Sequence, residues 1–178
     1  MRDSYQEFLQ SKQYKVNNLG KNVIRDDIHS MLFDWQKDIV QWACKKGRCA
    51  VFLDTGLGKT FIQLEWARLL NENTLIIAPL SVTRQTVKES HRLDLDIKYV
   101  RNQPEDKGVW ITNYEMMDNF EFSKFGAVVL DESSILKSIG GKTCKKLMVF
   151  GLVFKKQILC SLAEPGALMM KNISVHFN

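Results

Sequence analysis

Across its 178 residues the chain is 45% apolar and 25% charged, and 25 Lys and Arg against 20 Asp and Glu give a net charge of +5. That is the profile of a soluble globular domain with a substantial core, and the modest basic excess permits a polyanionic partner without demanding one. A membrane span is excluded because no run reaches the roughly 18 apolar residues it needs, and a zinc site or disulfide framework because Cys44, Cys49, Cys144 and Cys160 show no C-x-x-C spacing.

The N-terminus also lacks the apolar core of a signal peptide, so the expected setting is a reducing cytoplasm. Residues 1–30 form a polar extension, with a short helix expected over Ser4 to Lys12 and a turn at Asn17-Asn18-Leu19-Gly20. Nothing there carries chemistry. From Leu32 to Ala43 a helix is expected, capped by Asp34, with Trp35, Ile39, Trp42 and Ala43 at helical spacing as its core face. A glutamine on such a helix is ordinarily solvated surface. Gln36 stands just ahead of a phosphate-loop pattern, however, and a carboxamide offers one donor and one acceptor to the N6 and N7 edge of adenine.

The run Ala50 to Thr60, A-V-F-L-D-T-G-L-G-K-T, reads as a buried strand turning sharply into a helix. Gly56 and Gly58 let the backbone curl around an anion. The N–H groups of Thr55, Gly56, Leu57, Gly58, Lys59 and Thr60, with the positive end of the helix, would then converge on nucleotide phosphates. Lys59 would reach the terminal phosphates and the Thr60 hydroxyl would help hold Mg²⁺. The first glycine of the full G-x-x-x-x-G-K-[ST] pattern falls on Leu53, so only its second half is intact. The bland alternative is a glycine-rich turn with a chance Lys-Thr pair.

An apolar helical face follows from Phe61 to Leu70, and Thr74 to Ala78 reads as a buried parallel strand ending at Pro79, which completes a βαβ unit. A helix capped by Ser81 is expected next, then strands over Ile97 to Val100 and Val109 to Thr112, and a brief helix from Met116 to Phe120. Gly126 to Leu130 is a further buried strand that delivers Asp131 and Glu132 to its carboxyl end, where open α/β sheets bind ligands. There Asp131 can hold the metal bound to nucleotide phosphates while Glu132 orients and deprotonates the attacking water. Seen in isolation, a D-E pair after a strand is equally an acidic helix cap.

Taken together these blocks resemble the first RecA-like lobe of superfamily-two helicases and translocases, closest to the Swi/Snf-like DNA-dependent ATPases and similar to short helicase-like proteins of phages and prophages. Phe33-x-Trp35-Gln36 looks like the Q motif, Asp54 to Thr60 like motif I, Ile77 to Ser81 like motif Ia, Ile111 to Glu115 like motif Ib and Leu130 to Ser134 like motif II. The resemblance spans about residues 31–161. It implies an α/β RecA-like P-loop domain with a mainly parallel sheet flanked by helices, ATP and Mg²⁺ as cofactors, and nucleic acid, DNA by preference, as partner. It further implies that Ser81, Arg84, Thr112 and Asn113 grip the phosphate backbone, and that hydrolysis waits on a second lobe, encoded elsewhere, with its arginine finger.

After motif II the family pattern continues through Ile135 to Thr143 and the strand Gln157 to Ser161. Motif III is then replaced by Leu162-Ala163-Glu164-Pro165-Gly166. Met169-Met170-Lys171 must be encoded ATG-ATG-AA, and a shifted register reads Asp-Glu there, with Pro-Asn encodable ahead of it from Ala167-Leu168. On that reading residues 162–178 are an out-of-frame tail. Two other functional readings stay open: a stand-alone P-loop NTPase or phosphotransferase, for which the stretch after Asp131 offers lysines but no arginine, and a non-enzymatic nucleic-acid-binding remnant.

Overall fold

The structure is a computed structural model and describes residues 18–132 and 157–162. The expected helix over Ser4 to Lys12, the continuation through Ser133, Ser134 and Ile135 to Thr143, and the tail beyond Leu162 lie outside the described residues. Within them the chain forms β1 (Arg48–Phe52), β2 (Thr74–Ala78), β3 (Ile97–Tyr99), β4 (Val109–Asn113), β5 (Ala127–Leu130) and β6 (Gln157–Leu162). Its helices are α1 (Asp34–Lys46), α2 (Lys59–Leu70) and α3 (Leu80–Ser90). A short 3₁₀ segment, Tyr114–Asn119, stands where the brief helix was expected.

All six strands join one sheet in the order β1-β6-β5-β2-β4-β3, and every pairing is parallel. Continuous apolar runs are what such a sheet requires, since both of its faces are covered. Every residue of β2 and β5 is buried. Alternation along β2 sends Ile76 and Ala78 into a core shared with α1, α2 and α3, and Leu75 and Ile77 into a second core with Tyr114, Met117, Phe120 and Phe125.

Register fixes the height of each strand end. Phe52 pairs with Leu162 across β1 and β6, while Leu130 pairs with Cys160 across β5 and β6. Asp131 therefore stands level with Val51, on the same edge of the sheet as the loop after β1. With β6 between them, β1 and β5 are two strand spacings apart, roughly 10 Å.

Helix α1 differs from its sequence expectation in phase. Gln36, Val40, Ala43 and Cys44 are the buried positions, whereas Trp35 is 39% and Trp42 is 44% exposed. Both stripes satisfy a 3.6-residue period, and periodicity gives the repeat without saying which stripe is buried. Nor is Asp34 the cap. The helix is entered through Phe33, whose N–H donates to Gln36 Oε1 at 3.0 Å, and Asp34 instead pairs with Arg25 at 3.0 Å on the surface. Ser81 likewise lies within the first turn of α3, which begins after Pro79 and has no side-chain cap.

The polar stretch before α1 is integrated into the domain. Val23 and Ile28 are buried, and the backbone N–H groups of Leu19, Gly20 and Lys21 donate to the carbonyls of Lys46, Lys45 and Cys44 at the end of α1. Glu65, fully buried in α2, pins the same stretch by accepting the His29 N–H at 2.8 Å and Arg68 at 2.7 Å. The hydrogen bond from Arg68 to Glu65 holds that guanidinium above its ordinary pKa, against the lowering effect of burial. No helix among the described residues is long and apolar enough to cross a membrane.

Candidate functional site

The loop between β1 and α2 turns on two glycines in the left-handed region, Gly56 at φ +83° and Gly58 at φ +72°. Only glycine adopts these values without strain, which is how the chain reverses from a buried strand into a helix within six residues. Asp54, Thr55, Gly56 and Leu57 are exposed. A methyl group added at Gly56 would meet nothing within 4 Å, so the loop is uncrowded at that point.

Lys59, the first residue of α2, folds its ammonium back over the loop and donates to the carbonyls of Leu53 at 2.9 Å and Asp54 at 3.3 Å. Its charge lies across the mouth of the cradle. The Asp54 carboxylate accepts the Thr55 N–H at 2.7 Å. Gln36 reaches the loop from α1: its Nε2 donates to the Leu57 carbonyl at 3.2 Å, and a methyl group on Gly58 would come within 2.5 Å of that nitrogen. One N–H and one lone pair of the Gln36 carboxamide remain after its bonds to Leu57 and Phe33, which is the pair an adenine edge takes up.

Asp131 stands across from the loop and is held from three directions. Its N–H donates to the Ile77 carbonyl at 2.8 Å, its own carbonyl accepts the Tyr114 hydroxyl at 2.7 Å, and its carboxylate Oδ1 accepts Gln63 Nε2 at 2.7 Å. Gln63 lies one turn beyond Lys59 on α2, so the helix that begins with Lys59 and Thr60 is in direct contact with the acid at the end of β5. Glu132 follows in a left-handed conformation, φ +48°, which is unusual for a residue with a long side chain and the kind of strain found at functional sites.

Oxygen donors from Thr60 and Asp131, beside an open anion cradle carrying a lysine, suit a hard divalent cation held jointly with phosphates. No group of three or more His, Cys, Asp or Glu among the described residues could hold a metal by itself.

The residues expected to grip nucleic acid divide into two pairs. Ser81 and Arg84 are exposed and one turn apart on α3. Thr112 is fully buried, with a hydroxyl that has no hydrogen-bond partner among the described residues, and Asn113 is 3% exposed, accepting the Tyr99 hydroxyl at 2.7 Å and donating to Glu115. As they stand, neither can touch a phosphate backbone. The reason is burial: the Thr112 side chain is enclosed, and that of Asn113 is taken up by Tyr99 and Glu115.

Sequence reasoning missed Gln63, Tyr114 and the Arg92 guanidinium, which lies 5.1 Å from the Phe61 ring centroid beside the loop. For Gln63 a signal existed, a carboxamide within an otherwise apolar helical face. Tyr114 was read only as part of the motif Ib block, with nothing to pair it with Asp131, and nothing in the sequence pointed to Arg92, whose contact depends on how α3 ends.

No family model and no curated protein matches the chain. Among solved structures it is similar to the SWI2/SNF2 ATPase core of Sulfolobus solfataricus in complex with dsDNA, with a TM-score of 0.63 and 17% identity over 82% of this chain and 34% of that one. The UvsW helicase of bacteriophage T4 gives a TM-score of 0.62 and 21% identity over 97% of this chain and 64% of that one. The Hef helicase domain of Pyrococcus furiosus gives 0.61 and 17% over 87% and 38%. The fold is RecA-like, as in these helicase and ATPase cores. This RecA-like lobe spans about a third to two thirds of the length of the structures it matches.

Proposed function

We propose that the chain is the ATP-binding first lobe of a nucleic-acid-dependent ATPase of the helicase or translocase type. The observation that carries this reading is the contact of α2 with Asp131 through Gln63, which gathers the Lys59-Thr60 pair and the acidic pair at one edge of the sheet. Lys59 and the N–H groups of residues 55–60 would hold the phosphates, Gln36 the adenine, and Thr60 and Asp131 the Mg²⁺. When bound, Mg²⁺ neutralises charge on the phosphate oxygens.

Lys59 must leave the Leu53 and Asp54 carbonyls to reach phosphates. The exchange is favourable because a charge-assisted bond to an anion replaces bonds to neutral acceptors. Glu132 holds the attacking water and takes its proton. Fast hydrolysis draws on an arginine from a second lobe, a contribution of about 10³ to 10⁵ in related chemistry. Taken by itself, this lobe is therefore a nucleotide binder with slow turnover.

Nucleic acid is the partner this reading implies. DNA stands ahead of RNA because one similar structure is an ATPase core in complex with dsDNA, and Ser81 and Arg84 are the exposed candidates for phosphate contact. The test is calorimetric titration of ATP with Mg²⁺ into the wild type and Lys59→Ala, with DNA binding followed across salt. Loss of ATP binding in a folded Lys59→Ala protein, with DNA binding that weakens as salt rises, is the expected result. Equal ATP affinity in both proteins overturns the reading.

A further inference from the structure

The RecA-like lobe buries a carboxamide where its helix pattern calls for an apolar residue. Gln63 is 2% exposed, between Ile62 and Leu64, which are also buried. Desolvating a carboxamide is unfavourable unless its hydrogen bonds are made. Its Nε2 makes one, 2.7 Å long, to Asp131 Oδ1, a residue 68 positions away in sequence.

The backbone of Asp131 is fixed on both sides of its α-carbon, by the Ile77 carbonyl at 2.8 Å and the Tyr114 hydroxyl at 2.7 Å. Those two bonds leave rotation of the carboxylate undetermined. The bond from Gln63 acts on the side chain itself and holds its Oδ1. A carboxamide nitrogen can only donate, so it holds Oδ1 in place without the competing positive charge a lysine or arginine would bring.

We infer that Gln63 is a positioning residue that presets the Asp131 carboxylate and thereby sets how strongly Mg²⁺ tightens nucleotide binding. This rests on the proposed nucleotide site. It adds that α2 contributes twice, through Lys59 and Thr60 at its first turn and through Gln63 one turn later. Partners that orient metal ligands typically contribute about 10-fold to 100-fold in metal affinity. Nucleotide without metal relies on the loop and Gln36, neither of which Gln63 touches, so Gln63 should matter to the metal-dependent part of the affinity alone.

The experiment measures the affinity of a fluorescent ATP analogue in excess Mg²⁺ and in EDTA, for the wild type, Gln63→Met and Gln63→Leu. Methionine matches the length and leucine is a shorter, branched apolar alternative, and a variant that keeps the fold by circular dichroism is the one used. The wild type is expected to bind more tightly with Mg²⁺. The variants should keep the EDTA affinity and lose about tenfold or more of the Mg²⁺ enhancement.

An undiminished enhancement in a folded variant overturns the inference while leaving the nucleotide site standing. Equal losses with and without Mg²⁺ also overturn it, since they make Gln63 a packing residue only. Absence of nucleotide binding by the wild type would overturn the functional reading first.

Discussion

At Gly58 one methyl group decides whether the loop and α1 can stay in contact. Both Gly56 and Gly58 hold a left-handed backbone, which costs other residues roughly 1–2 kcal/mol. They differ in surroundings: a Cβ on Gly56 meets open space, whereas one on Gly58 comes within 2.5 Å of Gln36 Nε2, the tip of a flexible side chain. Gly56→Ala is therefore expected to lose only the backbone term. Gly58→Ala should lose that term and also push Gln36 off the Leu57 carbonyl, a further ~0.5–1.5 kcal/mol. Urea unfolding of both variants, with Gln36→Ala added to each, measures the difference; equal losses for the two glycines would contradict it. The need for glycine here was readable from spacing. The second use of Gln36, as a tether between helix and loop, was not, because a hydrogen bond to a backbone carbonyl leaves no mark on the sequence of its acceptor.

Helix α1 shows what periodicity can and cannot say about an element. Its existence and extent were legible between Leu32 and Ala43, but its buried stripe was assigned to the tryptophans. The true stripe is Gln36, Val40, Ala43 and Cys44, with a polar residue at one end and a thiol at the other. Burial of Cys44, followed by the nearby Glu65 carboxylate, raises its thiol from an ordinary 9.0 to about 12. In the unfolded chain the same thiol ionises near its ordinary value, so its stabilising contribution is fully present below about pH 9 and is lost as pH rises from there towards 12. The wild type should thus lose more stability than Cys44→Ala between pH 9 and 11, as read from urea midpoints at each pH, and native Cys44 should resist alkylation at pH 8. Rapid modification of the folded protein would contradict the burial. In α2 the apolar face was read correctly, while Gln63 and Glu65 within it were not singled out, because a buried polar residue is intelligible only once its partners, Asp131 in one case and His29 and Arg68 in the other, are near.

For the whole molecule, the βαβ order made a parallel α/β sheet legible, and the similarity to helicase cores extends it to a RecA-like lobe. Strand order was beyond reach. It depends on β5 and β6 entering between β1 and β2, a choice made by long-range pairing rather than by any local pattern. That order separates the two halves of the candidate site by about two strand spacings, ~10 Å, while Thr112 and Asn113, which the family resemblance had put on a nucleic-acid surface, are buried. The central claim is that one metal-bound triphosphate fits between the loop and Asp131. Its most direct test is a backbone amide NMR spectrum recorded as Mn²⁺-ATP is added in small amounts, since the paramagnetic ion broadens the amides nearest to it. Selective loss of the signals of residues 55–60 and of Asp131, reversed by excess Mg²⁺-ATP, is the predicted result. Broadening centred on any other part of the chain, or loss confined to only one side of the gap, would contradict it.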